Sequence, residues 1–196
     1  MKIIGLTGGI GSGKTTVANF FSQYKNVVIY IADVEAKRLM NSSEIIKQKL
    51  IQNFGKKSFI SGRLNREHIA SIVFKNKEEL SKLNAIVHPE VKKHFQSFIK
   101  INNQKEYIVY ENAILFESGS NLFCDLVITV FADQNTKIKR VITRDKSTKK
   151  EILDRMNNQS NDTKKMLQSN YIISNNNLEK TKLQVHRIHN ILTQIS

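Results

Sequence analysis

Residues 8–16 read Gly-Gly-Ile-Gly-Ser-Gly-Lys-Thr-Thr, four glycines within six residues, then one lysine and two hydroxyls. Glycine has no Cβ, so successive backbone N–H groups can turn toward one point. Where such a loop runs into a helix N-terminus, the result is a concavity that binds anions. The spacing Gly8-x4-Gly13-Lys14-Thr15 fits the phosphate-loop pattern. In that pattern the lysine reaches the β- and γ-phosphates of a nucleotide and the hydroxyl reaches Mg²⁺. A glycine-rich turn without a ligand is the plain alternative, and context favours phosphate. The strand-like run Ile3-Ile4-Gly5-Leu6 precedes the loop, and Val17, Phe20, Phe21 and Tyr24 follow at i, i+3, i+4, i+7. A second string, Gly55-Lys56-Lys57-Ser58, has Leu50 where the upstream glycine belongs, and it is set aside.

A phosphate loop needs a strand behind it and a sheet beside it. Apolar runs suited to buried parallel strands lie at 2–6, 27–31, 107–110, 126–131 and 171–173. Helical patterns alternate with them at 14–24, 134–144 and 178–192, the last with Leu178, Val185, Ile188, Leu192 and Ile195 on one face. This alternation predicts an α/β sandwich around a five-stranded parallel sheet. Between the second and third strands a long insert reads almost wholly helical. Its clearest helix is predicted to begin at Pro89, the only proline, which suits a first turn because its missing N–H is not needed there.

Open α/β sheets bind ligands at the carboxyl ends of their strands, so the acids and bases at that edge matter most. Asp33 follows the second strand by two residues. It reads either as a helix N-cap before 34–39 or as a general base taking a proton from a substrate hydroxyl; position alone leaves both open. Glu111 ends the third strand and is either a surface residue or the acid that orders Mg²⁺ through water. Arg140 and Arg144 share a helix face at i, i+4. His88, before Pro89, reads as filling a helix junction. His68, His94, His186 and His189 have no metal-like spacing and receive no role.

The bulk properties bound the rest. A chain of 196 residues with 40% hydrophobic and 24% charged residues suits one compact domain with inserted pieces. No secretory leader or apolar span of membrane length is read, and the single cysteine, Cys124, excludes an internal disulfide; the cytosol is the expected location. Cys124 itself reads as a small residue beside strand 126–131. The net charge is +14, with ten basic residues between 136 and 165 opposed by four acids. A solvated helical face would look like this, and so would arginines gathered at a triphosphate.

Taken together, these residues resemble the dephospho-coenzyme A kinase family. Its members open with a phosphate loop like that from Gly5 to Ala18. They carry a "DAD" triplet, here Ile31-Ala32-Asp33, and a His-Pro pair, here His88-Pro89. Their "PLLFE" corresponds to Ala113-Ile114-Leu115-Phe116-Glu117, and Tyr171-Ile172-Ile173-Ser174-Asn175-Asn176 looks like their "DYVIDNNG", with Asn177 where glycine is usual. Arg140 and Arg144 look like the family's lid arginines, and Gln159 with Lys165 like its lid tail. Ile31, Ala113 and Asn177 depart from the pattern.

The resemblance implies a P-loop kinase fold with a nucleotide core (1–35, 106–136, 168–196), a helical substrate insert (36–105) and a lid (137–167). It implies ATP as donor with Mg²⁺, and transfer of the γ-phosphate to the ribose 3′-hydroxyl of dephospho-coenzyme A. Implied ATP contacts are Gly9, Ile10, Gly11, Ser12, Gly13, Lys14, Thr15, Thr16, Arg140, Arg144 and Asn175. Asp33, Lys14 and Arg144 would be catalytic, and Asp33, His88, Leu115 and Glu117 would meet the acceptor. Thr15, and Glu111 through water, would hold the metal. No nucleic-acid or membrane partner is expected, and the chain is read as a monomer or weak homo-oligomer. Three rivals remain: another small-molecule kinase on this scaffold, a GTP switch, and a nucleic-acid binder. The switch would need Asn-Lys-x-Asp, to which Asn76-Lys77-Glu78-Glu79 is the nearest string, and the binder has few aromatics beside its basic clusters.

Overall fold

The structure is a computed structural model that describes residues 1–73, 76–145, 148–157 and 160–194. In chain order the elements are β1 (Lys2–Thr7), α1 (Lys14–Phe21), β2 (Val27–Ile31), α2 (Ala32–Ser42), α3 (Glu44–Phe54), β3 (Phe59–Ile60), β4 (Arg63–Leu64), α4 (Arg66–Val73) and α5 (Lys77–Ile101). Then come β5 (Tyr107–Glu111), β6 (Leu126–Phe131), α6 (Gln134–Asp145), α7 (Lys149–Asn157), α8 (Asp162–Leu167), β7 (Tyr171–Ser174) and α9 (Leu178–Gln194). The chain divides into two compact units: 1–31 together with 102–196, and 32–101.

The first unit is built on a parallel sheet in the order β2-β5-β1-β6-β7. Each of the five expected apolar runs is a strand. Burial of the three central strands, β5, β1 and β6, on both faces explains why those read as continuous hydrophobic stretches without alternation, whereas the edge strand β7 leaves Ile172 exposed. On one face α1 contributes Val17, Ala18 and Phe21 and α9 contributes Val185, Ile188 and Leu192, packed on Ile4, Leu6, Val109, Ile128 and Val130. On the other, Leu115 and Cys124 close over Gly5 of β1, where an added Cβ would meet the leucine at 2.8 Å and the sulfur at 3.0 Å. Burial pushes the Cys124 thiol up to about 12, with help from the neighbouring Asp125 charge, so it stays protonated in ordinary conditions.

The stripe expected on α9 needs one correction. Leu178 is 56% exposed and lines a cavity beside the phosphate loop, while Thr181 and His189 take buried places on the helix with Val185, Ile188 and Leu192. The ring of His189 stacks on Tyr24 at 3.6 Å between centroids, and its Nδ1 lies 2.7 Å from the Tyr107 hydroxyl. Ile195 is outside the described residues.

The second unit is helical around Ile46, Leu50, Phe54, Ile69, Val73 and Ile86. It also holds an antiparallel hairpin that hydrophobic periodicity did not reveal, with Phe59 opposite Leu64 and Ile60 opposite Arg63. Its two-residue turn, Ser61-Gly62, has both φ angles positive, 49° and 78°, the form that matches strand twist. The discarded Gly55-Lys56-Lys57-Ser58 string ends α3 and makes a 3₁₀ turn. Pro89 does not start a helix: it lies inside the 25-residue α5. Ile86 and Val87 before it and Val91 and Phe95 after it are all buried. Packing on both sides therefore outweighs the missing N–H.

Candidate active site

The loop from Gly8 to Gly13 leaves the carboxyl end of β1, the central strand, and enters α1. Gly8 passes so close to β6 that a Cβ would lie 2.2 Å from the Val130 carbonyl oxygen. Gly13 has φ 87°, and a Cβ there would lie 2.1 Å from Asn175 Nδ2. No side chain caps α1 at Gly13, so the first-turn N–H groups are left for a ligand. The Thr7 and Ser12 hydroxyls are buried without a hydrogen-bond partner among the described residues. Such orphans call for a bound group.

Lys14 folds back over the loop, its Nζ donating to the carbonyls of Gly8 at 3.0 Å and Gly9 at 3.3 Å. The Thr15 hydroxyl donates to Glu111 Oε1 at 3.1 Å. Glu111 is 6% exposed and pairs in register with Leu6 of β1. Two residues 96 positions apart thus meet at the loop, one hydroxyl and one carboxylate. Hard oxygen donors of this kind suit Mg²⁺, which needs few protein ligands when a substrate phosphate supplies others. Among the described residues no cluster of three or more His, Cys, Asp or Glu forms a self-contained metal cage.

Behind the loop lies a support that composition could not show. Arg140 donates to the carbonyls of Ser12 (3.3 Å) and Asn175 (2.8 Å), and Asn175 Nδ2 donates to the same Ser12 carbonyl at 2.8 Å. The Thr181 hydroxyl, wholly buried in α9, lies 2.7 Å from the Asn177 carbonyl and 3.0 Å from Asn175 Oδ1. Asn177, a departure from the family pattern, accepts from Lys180 N at 3.0 Å and caps α9. Arg140 therefore braces the loop as well as lining, with Arg144, Lys14, Thr15, Thr16 and Leu178, a cavity of about 450 Å³. Arg144 is largely exposed and forms a two-point pair with Asp145 at 2.7 and 3.0 Å, which raises its already high pKa.

Glu117 and Lys165 meet as an ion pair at 3.1 Å. The lysine is wholly buried and donates also to the Ala113 carbonyl at 2.8 Å, while Ser160 N donates to Glu117 at 2.9 Å. Partial burial pushes the Glu117 carboxyl up, but the backbone N–H groups of Glu117 and Ser160 and the Lys165 ammonium outweigh it and hold the pKa low. Leu115 needs correcting: its side chain is 0% exposed against Gly5, so it is a core residue with no side-chain surface to offer an acceptor. Gln159 lies outside the described residues.

Asp33 and His88 belong to the second unit. Asp33 is exposed in the first turn of α2, which starts at Ala32, so it is not the helix cap. The conformation therefore removes one of the two readings that position left open. His88 fills no junction, because α5 runs through it; the protein around its imidazole pushes its pKa down. In the same unit Arg38 bonds Glu35 at 2.7 Å and His94 at 2.7 Å.

A family model described as dephospho-CoA kinase matches residues 2–180. The dephospho-CoA kinase of Fusobacterium nucleatum is 35% identical over 189 residues, 95% of this chain and 96% of its own. Among solved structures, a Thermus thermophilus protein superposes with a TM-score of 0.87 at 26% identity, covering 100% of this chain and 98% of that one. The dephospho-CoA kinase from Campylobacter jejuni shares the fold, with a TM-score of 0.64 at 19% identity over 97% of each chain.

Proposed function

The chain belongs to the dephospho-CoA kinase family, and from that premise we propose how its own residues divide the work. The reaction is phosphorylation of the ribose 3′-hydroxyl of dephospho-CoA by ATP, the last step of coenzyme A biosynthesis. The observation that carries the assignment of roles is the meeting of Lys14, Thr15 and Glu111 around an uncapped helix N-terminus.

The loop N–H groups and Lys14 hold the β- and γ-phosphates. Thr15 and Glu111 would hold Mg²⁺, the latter through water, and the ion would supply neutralisation of the phosphate charge. Asp33 accepts the proton of the 3′-hydroxyl as that oxygen bonds to the γ-phosphorus. The bond from phosphorus to the β,γ-bridging oxygen breaks, its electron pair leaves with ADP, and coenzyme A is the other product. Arg144 leaves Asp145 for the transferring phosphoryl oxygens, where its planar fork gives two donors. Arg140 and Asn175 keep the loop in shape. Glu117 and His88 remain proposed contacts of the acceptor, with Glu117 also anchoring residues 160–165.

A lid over 137–167, a cytosolic place of action, no nucleic-acid or membrane partner, and a monomer or weak homo-oligomer complete the reading. Among the described residues no helix is long and apolar enough to cross a membrane. Asp33→Asn tests the central role. The variant should bind ATP almost as wild type does, while kcat falls at least about 10²-fold, within the range for loss of a general base. A wild-type kcat in that variant would remove Asp33 from the chemistry.

A further inference from the structure

We propose that Lys137 is a second phosphate-binding ammonium of this site, held against the phosphate loop by Asp162 until a triphosphate arrives. The inference rests on the reading that ATP binds at the loop. Lys137 stands in the first turn of α6 and Asp162 at the start of α8, 25 residues later, and the two form an ion pair. Their side chains are only 10% and 16% exposed. Both press on Gly9: a Cβ there would lie 2.7 Å from Asp162 Oδ1 and 3.5 Å from Lys137 Nζ. Lys14 holds the carbonyl of the same glycine at 3.3 Å, so two ammonium groups flank one loop residue.

The cavities beside the loop give the pair a direction. The one lined by Lys14, Thr15, Thr16, Arg140, Arg144 and Leu178 combines helix N-terminus, cations and an apolar wall, which suits the nucleoside of ATP and the phosphates that follow it. The other, about 360 Å³, is lined by Gly9, Ile10, Gln134, Lys137, Asn161 and Asp162 and opens at the far end of the loop. A triphosphate anchored at α1 and running toward Gly9 presents its terminal phosphate there. That phosphate brings more negative charge than one carboxylate and repels Asp162, so it competes for Lys137 on both counts. A pair kept only for stability has weak physical grounds, since apolar residues of similar size do as well or better in a buried place.

The test compares ATP and ADP binding by calorimetry, in Mg²⁺, on the full chain. Lys137→Met should weaken ATP about tenfold or more and leave ADP within about twofold, because only ATP carries the γ-phosphate. Lys137→Arg should restore most of the difference. Asp162→Asn should tighten ATP, since the lysine is released in advance. The double variant Lys137→Met/Asp162→Asn leaves no lone buried charge, and should keep ADP binding while retaining the ATP defect. Equal loss for ATP and ADP in the single and double variants would make the pair a structural clasp and overturn the proposal. Unchanged binding of both would overturn it too. If the wild-type protein bound neither nucleotide, the underlying ATP reading would fall, and this inference with it.

Discussion

The pair Glu117–Lys165 offers a stability test whose sign is set by burial. Lys165 is wholly enclosed and has two acceptors, Glu117 and the Ala113 carbonyl. Glu117→Ala leaves that ammonium buried with one neutral acceptor and removes the bond from Ser160 N. Breaking a buried pair on one side costs about 3–5 kcal/mol. The Glu117 side chain is 27% exposed, so water eases the loss and the lower end, about 3 kcal/mol, applies. For a chain of this size that lowers Tm by about 6–12 °C. Lys165→Met removes the buried charge and leaves Glu117 half in water with Ser160 N, so it should cost only about 1 kcal/mol. The double variant should be more stable than Glu117→Ala alone by about 2 kcal/mol, an interaction visible in a double-mutant cycle. Urea melts at neutral pH measure all three. The glutamate's folded pKa is depressed, so the pair stabilises above the ordinary value, about 4.3, and the benefit fades as pH falls through the folded value. The penalty of Glu117→Ala should shrink accordingly in acid. Additive costs, or a double variant less stable than Glu117→Ala, would mean that the two side chains do not act as a buried pair.

Lys14→Ala should fold normally and lose at least about 10² in turnover, about 2.7 kcal/mol of barrier; near-wild-type rates in steady-state assays would count against the loop assignment. Arg144→Lys keeps the charge and loses the fork, so kcat should still drop about tenfold, about 1.4 kcal/mol, whereas a mere surface charge would leave it unchanged. His189 titrates below its usual value chiefly because it is buried, with His186 lowering it further and the Glu106 charge opposing. Burial keeps Tyr107 protonated, and its hydroxyl shares a hydrogen bond with Nδ1 at 2.7 Å. The stability tied to this lowered pKa is complete above the ordinary histidine value, about 6.5, and is lost as pH falls below it toward the folded value. Melting followed from about pH 7.5 to about pH 5 should show that fall.

Much of the fold was legible because the strands of this parallel sheet leave unbroken apolar runs, and all five stood out between 2 and 173. The phosphate loop was legible because its glycines answer to close approaches, of Val130 at Gly8 and Asn175 at Gly13. The hairpin at 59–64 was too short for a two-residue period to register. Pro89 misled because a helix held by packing at Ile86, Val87, Val91 and Phe95 tolerates what local propensity forbids. Leu115 misled because motif membership does not say which way a side chain faces. Lys137 and Asp162 were visible only as members of a charge cluster; nothing in their spacing announces a pair closing on Gly9. Thr181 was hidden in the same way, an ordinary helix residue until its buried hydroxyl is seen beside Asn175.

The central claim is that this loop delivers the γ-phosphate of ATP to one hydroxyl of one acceptor. Incubating the purified protein with Mg²⁺-ATP and dephospho-CoA, then mapping the product by mass and phosphorus NMR, tests it most directly. The expected product is heavier by one phosphate, carried on the ribose 3′-oxygen, with ADP formed in equal amount and no product without Mg²⁺. ADP released without acceptor modification, or phosphate on another acceptor such as a nucleoside in place of dephospho-CoA, would contradict it.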